Sequence, residues 1–446
     1  MTKLHGYALL SAIVALIVGL SAAIYTGVAA DHGRTPADAR ARAEGDAPRD
    51  PAAPASTGTW VGAWSASPAG AEPGTGTGGM AGRSVRNVVH ASAGGTSARV
   101  TLSNLYGRSP LTLTHASLAV AAASGTPAAN APTMRRLTFA GATTVVIPPG
   151  RQVLSDAVRV LIPQGDDVLV TTYSPTASGP VTYHAHARQI SYVARGDLTE
   201  DTTGAGYTEQ TPYWRYLTAL DVLSDDSVGT VVAFGDSITD GTTSTQGANH
   251  RWTDILSDRL RSAVASGWNV PRYSVVNEGI SGNRILANGL GRPADNQAGL
   301  VRFSRDALSH PNVKVIVIAL GVNDILRDPH RADPDRILTG LRTMVGQAHA
   351  HGVKVVGATL MPFQGHSGYT AASEAVRRRV NAEIRSGRVY DAVVDFDKAL
   401  RDPYNPRRLR SDYDCGDHLH PSDRGYARMG SAFDLRLLKG AAPAEL

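Results

Sequence analysis

The sequence predicts a β-sandwich-like domain followed by an α/β domain, whose parallel sheet carries helices on both faces. Three observations predict this. Up to about residue 227, short alternating apolar runs are punctuated by Gly and Pro, as in half-buried antiparallel strands. After Val228, continuous apolar runs alternate with runs of helical period, the texture of a sheet buried on both sides. The chain has 446 residues, more than one hydrophobic core usually covers.

In chain order, residues 1–30 read as a targeting segment. Lys3 precedes an apolar, uncharged stretch from about Gly6 to Ala30, which ends in the small residues Val28-Ala29-Ala30 before Asp31. The stretch also reaches the ~20 residues that span a bilayer, so a cleaved signal peptide and a retained signal anchor both stay open. Either one exports the remainder, giving a secreted, extracellular protein or one anchored to the outer face of the membrane. Residues 31–58 are rich in Ala, Pro, Asp and Arg without an apolar period and read as a disordered linker.

Residues 59–227 form the expected β-rich domain. Ala98, Val100 and Leu102 alternate with Arg99, Thr101 and Ser103. Val145-Val146-Ile147 runs into the turn Pro148-Pro149-Gly150, and Val168 to Tyr173 make a further strand. Trp60, Trp64, Tyr213, Trp214 and Tyr216 read as core aromatics, with sugar stacking as the alternative. Residues 228–440 form the expected α/β domain. Its strands are Val231–Phe234, Ser274–Asn277, Val313–Leu320, Val353–Leu360 and Ala392–Phe396. Trp252, Ile255, Leu256 and Leu260 keep a helical period, as do Ile337, Leu341, Met344, Val345 and Ala348.

Composition narrows the function. A charged fraction of 19% and a hydrophobic fraction of 42% suit a folded protein, and the formal charge of +5 comes without a basic block, so no nucleic-acid partner is expected. Arg377-Arg378-Arg379, the densest basic run, falls in a helical pattern and reads as a solvated face. Cys415 is the only cysteine, so no internal disulfide forms; it reads as a small buried apolar residue.

Four segments carry chemistry. Gly235-Asp236-Ser237 follows the first α/β strand, Asn277 to Asn283 follows the second and Gly321-Val322-Asn323-Asp324 the third; Asp417-His418-Leu419-His420-Pro421 opens the last helical run. Each alone also suits a turn or a helix cap. Their order, each at the matching end of its element, gathers them on one rim of the sheet.

In these four blocks the chain resembles the SGNH/GDSL hydrolase family, with Ser237, Gly282, Asn323 and His420 at the name-giving positions across about residues 228–440. From Trp60-Val61-Gly62-Ala63-Trp64 onward it is similar to an exported branch with an N-terminal β-domain. Ile238 stands where Leu gives the family its label. The resemblance implies a three-layer α/β/α flavodoxin-like sheet and an exported serine esterase or acylhydrolase. Ser237 would be the nucleophile, His420 its base and Asp417 the residue orienting the imidazole. The backbone N–H groups of Ser237 and Gly282 and the amide of Asn323 would form the oxyanion hole. A small-molecule or carbohydrate ester is the expected partner, with contact to a membrane only through the N-terminal segment, and a monomer is expected. No cofactor and no metal are implied: His184/His186 and His418/His420 lack a third ligand in an obvious frame. Asp236, Asp240 and Asp324 read as turn or cap residues, and His418 as a loop histidine. Two readings of other classes stay open: a non-catalytic envelope protein binding glycan or a partner, and a glycosidase using Asp417 with Asp236.

Overall fold

The computed structural model describes residues 58–289, 296–327 and 332–442. The expected targeting segment and nearly all of the expected linker lie outside them. Among the described residues no helix is long and apolar enough to cross a membrane.

The alternating runs of the first half become antiparallel sheets. One joins Thr59–Ser65, Leu217–Ser224, Gly95–Ser103 and Val158–Ile162, with Gln152–Leu154 at its side. A second orders Glu209–Thr211, Ser191–Arg195, Arg83–His90, Asp167–Ser174, His115–Val120 and Arg135–Arg136. Val61, Val100, Leu220 and Val222 from the first sheet and Val85, Val89, Leu118 and Val170 from the second share one core, as the two-residue period requires of a sandwich. Trp64, Trp214 and Tyr216 are buried in it.

The continuous apolar runs become a parallel sheet in the order Tyr273–Gly279, Gly229–Gly235, Val313–Ala319, Lys354–Ala358, Ala392–Val394. The interior strand Gly229–Gly235, second in that order, is buried along its whole length, which explains its uninterrupted apolar sequence. Two groups of helices flank the sheet: Trp252–Ala265 packs on Asp423–Ala432, and Pro334–His349 on Ala371–Arg385. The strand order is 2-1-3-4-5, so the direction of winding reverses between the strands ending at Gly235 and Ala319. Ligands in such sheets bind outside the carboxyl ends at that reversal.

Two expectations fail here. Phe396 does not extend the last strand but opens the short helix Phe396–Leu400, because Asp395 caps it by accepting from Lys398 N–H. Arg377 does not face solvent; it is buried, donating to Glu374 at 2.8 Å, to Asp397 at 2.9 Å and to the Leu360 carbonyl at 3.0 Å. A guanidinium is tolerated there because its donors are paired with two carboxylates.

The β-rich and α/β residues belong to one compact unit, Thr57–Leu446. Strand Thr59–Ser65 packs on strand Tyr273–Gly279, with Gly62 N–H donating to Thr230 Oγ1 at 3.0 Å.

Candidate active site

Strand Gly229–Gly235 delivers Asp236 and Ser237 to the reversal point. The Asp236 carboxylate accepts from Ile238 N–H at 3.1 Å and caps the four-residue helix Ser237–Asp240. Burial pushes that carboxyl up to about 7 in spite of this hydrogen bond. Ile238 is buried behind Ser237, as its apolar side chain predicts.

The segment around His420 is fastened directly to the turn after Ser237. Thr243 Oγ1 donates to the Pro421 carbonyl at 2.7 Å, and Tyr426 Oη donates to the Thr242 carbonyl at 2.6 Å. Ser422 caps the helix Asp423–Ala432 that follows. This brings His420 Nε2 to 2.8 Å from Ser237 Oγ, across 183 residues of sequence. The other ring nitrogen, Nδ1, lies 2.6 Å from Asp417 Oδ2. Asp417 Oδ1 also accepts from the N–H groups of Leu419 at 2.9 Å and His420 at 2.8 Å. Partial burial works against the Asp417 charge, but the His420 ring and these N–H groups outweigh it and hold the carboxyl well below the usual carboxylate range. An ionised Asp417 requires the proton on Nδ1, which leaves Nε2 as the acceptor for the serine hydroxyl.

Strands Tyr273–Gly279 and Val313–Ala319 bring the other two segments to the same cleft, of about 560 Å³. Gly279 lies so close to the Ser237 helix that an added Cβ would fall 2.2 Å from Asp240 N. Gly282 holds a φ of +77°, the left-handed region that glycine enters without strain. The N–H groups of Ser237 and Gly282 meet no acceptor among the described residues. Asn323 Nδ2 is buried and likewise unpartnered there. Ser237, Gly282 and Asn323 all line the cleft. Arg302, fully buried, ties the ends of two of these strands together by donating to the carbonyls of Gly235 at 2.8 Å and Glu278 at 2.9 Å.

The other residues singled out from sequence fall as follows. His418 pairs through Nδ1 with Asp414 at 2.7 Å, its side chain is 51% exposed, and it does not line the cleft. Asp324 is not a local cap; it accepts from the N–H groups of Ile285 at 2.8 Å and Leu286 at 3.0 Å, pinning the segment after Gly282. Asp240 is likewise no simple turn residue: it is buried, with His184 Nε2 at 3.0 Å and Ser281 N–H at 2.9 Å. Cys415 is exposed rather than buried, in a surface turn whose next residues, Gly416, Asp417 and His418, are exposed as well. Among the described residues one group has metal-ligand spacing, Asp414, Cys415 and Asp417, and both of its carboxylates already hold histidines. Asp236 and Asp417 do not line the cleft, and no Asp or Glu does among the described residues. His186, weighed from sequence only as a metal ligand, lines it, as do Arg327 and His366, which the sequence did not single out. They lie in loops with no periodic signal.

A hydroxyl bonded to an imidazole, beside unpaired N–H donors at the switch point of a parallel sheet, defines the class: a serine hydrolase. Residues 233–428 match the model of the GDSL-like Lipase/Acylhydrolase family. The chain therefore carries a GDSL-like lipase/acylhydrolase domain, and it is a serine ester hydrolase. No curated protein matches the chain. Among solved structures it is similar to a GDSL-like lipase from Bacteroides thetaiotaomicron (20% identity, 46% of this chain and 84% of that one, TM-score 0.32). It is also similar to Est24, a carbohydrate acetylesterase from Sinorhizobium meliloti (19%, 46% and 96%, 0.35). A third is a member of the lipolytic protein G-D-S-L family from Veillonella parvula (17%, 46% and 96%, 0.33).

Proposed function

We propose that this protein is an exported esterase that cleaves short-chain carboxylic esters, with an acylated carbohydrate as the favoured substrate class, through an acyl-enzyme on Ser237. In this reading Ser237 Oγ attacks the ester carbonyl while His420 Nε2 takes its proton. The same proton passes to the departing alkoxide. Asp417 holds the tautomer and stabilises the imidazolium. The negative oxygen of each tetrahedral intermediate is met by the N–H groups of Ser237 and Gly282 and by Asn323 Nδ2. Water, deprotonated by His420, then releases the acid and frees Ser237.

The observation that carries the reading is the pairing of a 2.8 Å Ser237–His420 contact with the unpartnered amide of Asn323 in one cleft. A carboxylate-pair glycosidase has no support in a cleft whose described lining holds no Asp or Glu. Leu326 and Leu419 are the large apolar side chains of that lining, against Asn296, Arg327, His186 and His366, which favours a small acyl group on a polar alcohol. Export rests on the apolar stretch behind Lys3.

Ser237→Ala is the direct test: hydrolysis of p-nitrophenyl acetate is expected to vanish with folding intact. A folded variant that keeps its activity overturns the reading. Substrate size is tested with p-nitrophenyl esters of rising length, where kcat/KM is expected to fall at least tenfold from acetate to octanoate. Equal or rising values would place a long acyl chain in the cleft.

A further inference from the structure

Gly282 contributes a backbone N–H, and a backbone donor has no side chain to aim it. Its direction is set by the peptide that links it to Ser281. In a trans peptide the N–H points opposite to the preceding carbonyl. Asn296 Nδ2 holds the Ser281 carbonyl at 3.0 Å, fixing one side of this unit. The other side is held by Asp240, whose Oδ2 accepts from Ser281 N–H at 2.9 Å and from Ser281 Oγ at 2.6 Å. Because Ser281 Oγ spends its proton on Asp240, Thr242 Oγ1, 2.8 Å away, donates to it in turn.

Asp240 is itself anchored from the β-rich region. His184 ends the strand Thr182–His184 and is buried. Its Nδ1 lies 2.8 Å from the Ser67 carbonyl and its Nε2 lies 3.0 Å from Asp240 Oδ1. Both partners are acceptors, so both ring nitrogens carry protons and the ring is an imidazolium paired with an ionised Asp240. The neighbouring chain adds to the attachment. Gly247 N–H donates to the Arg188 carbonyl at 2.8 Å, Gln189 Nε2 to Asn249 Oδ1 at 3.1 Å, and Arg251 to the Ala187 carbonyl.

We propose that His184, supplied by the β-rich region, is a positioning residue for ester hydrolysis: through Asp240 it fixes the Ser281–Gly282 turn and thereby aims the Gly282 N–H at the developing oxyanion. This rests on the reading of Gly282 as an oxyanion donor. It gives the β-rich region a part in the chemistry.

Two conservative variants separate the contacts of the ring. In His184→Gln the amide reaches as far as Nε2 and still donates to Asp240; in His184→Asn it matches Nδ1, keeps the Ser67 carbonyl and loses Asp240. Steady-state hydrolysis of p-nitrophenyl acetate, inhibition by a phenylboronic acid that forms a tetrahedral adduct on serine, and thermal melting are measured for both, with Ser237→Ala alongside. His184→Asn is expected to lower kcat by about 10- to 100-fold, a part of what losing an oxyanion donor outright costs. KM should stay within about threefold, and boronate affinity should fall in parallel with kcat. His184→Gln should stay within about fivefold of wild type in kcat. The proposal is overturned if His184→Asn keeps wild-type kcat, if only KM rises, or if the two variants lose kcat equally. If Ser237→Ala remains active, the reading of the whole site fails and the proposal with it. A dead Ser237→Ala beside a fully active His184→Asn removes the proposal alone.

Discussion

His420 and His184 each pair with an aspartate beside the Ser237 turn, one from the last loop of the α/β region and the other from the β-rich region. In the first pair the carboxylate occupies Nδ1 and leaves Nε2 facing a hydroxyl, so the ring can take up a proton and return it. In the second, a carbonyl and a carboxylate face both nitrogens, so the ring has no site at which to exchange one. Asp417 keeps its side chain 43% exposed, whereas His184 and Asp240 are buried. On the proposed reading, the same two residue types give a proton carrier at one place and a fixed strut at the other. What the ring nitrogens face makes the difference.

The largest expected effect breaks the first pair. His420→Ala should lower kcat by about 10⁴-fold or more, as loss of a catalytic base does, while melting stays near wild type; a loss of less than tenfold would mean the base lies elsewhere. Next comes Asn323→Ala, which should lower kcat by roughly 10²- to 10³-fold with little change in KM. A variant defective only in KM would make Asn323 a substrate-binding residue instead. Smaller still is His418→Ala. His418 forms its own pair with Asp414 but faces solvent, so activity should stay within about threefold. A severe loss there, with His420→Ala active, would reverse the assignment.

The smallest effect concerns stability. Burial raises the Asp236 carboxyl to about 7 from an unfolded value of ~3.9. Between those values the folded chain holds a proton that the unfolded chain has lost, so this group makes stability fall as pH rises through that window. Asp236→Asn should flatten that part of the melting-temperature profile. An unchanged slope would show that Asp236 is ionised in the folded state.

The parallel strands were legible because burial on both faces writes them as unbroken apolar runs, as in Val231 to Phe234. The four site segments were legible because each sits within a few residues of the end of its element. Contacts across the fold were not. Nothing local to His184 announces Asp240, 56 residues away, and Asp240 reads as a turn residue until Ser281 and His184 surround it. Arg377 looked like one of three surface arginines because its partner Asp397 lies on another helix. Cys415 reads as a core residue by type, yet it sits in an exposed run, Cys415 to His418.

The most direct measurement of the central claim is labelling with a fluorophosphonate, followed by mass mapping of the modified peptide in wild type and His420→Ala. One adduct per chain, on the peptide containing Ser237, is expected in wild type, with labelling at least about a hundredfold slower in the variant, because a serine hydroxyl is a poor nucleophile without its base. An adduct on any other residue, or equal labelling rates in the two proteins, would contradict the account.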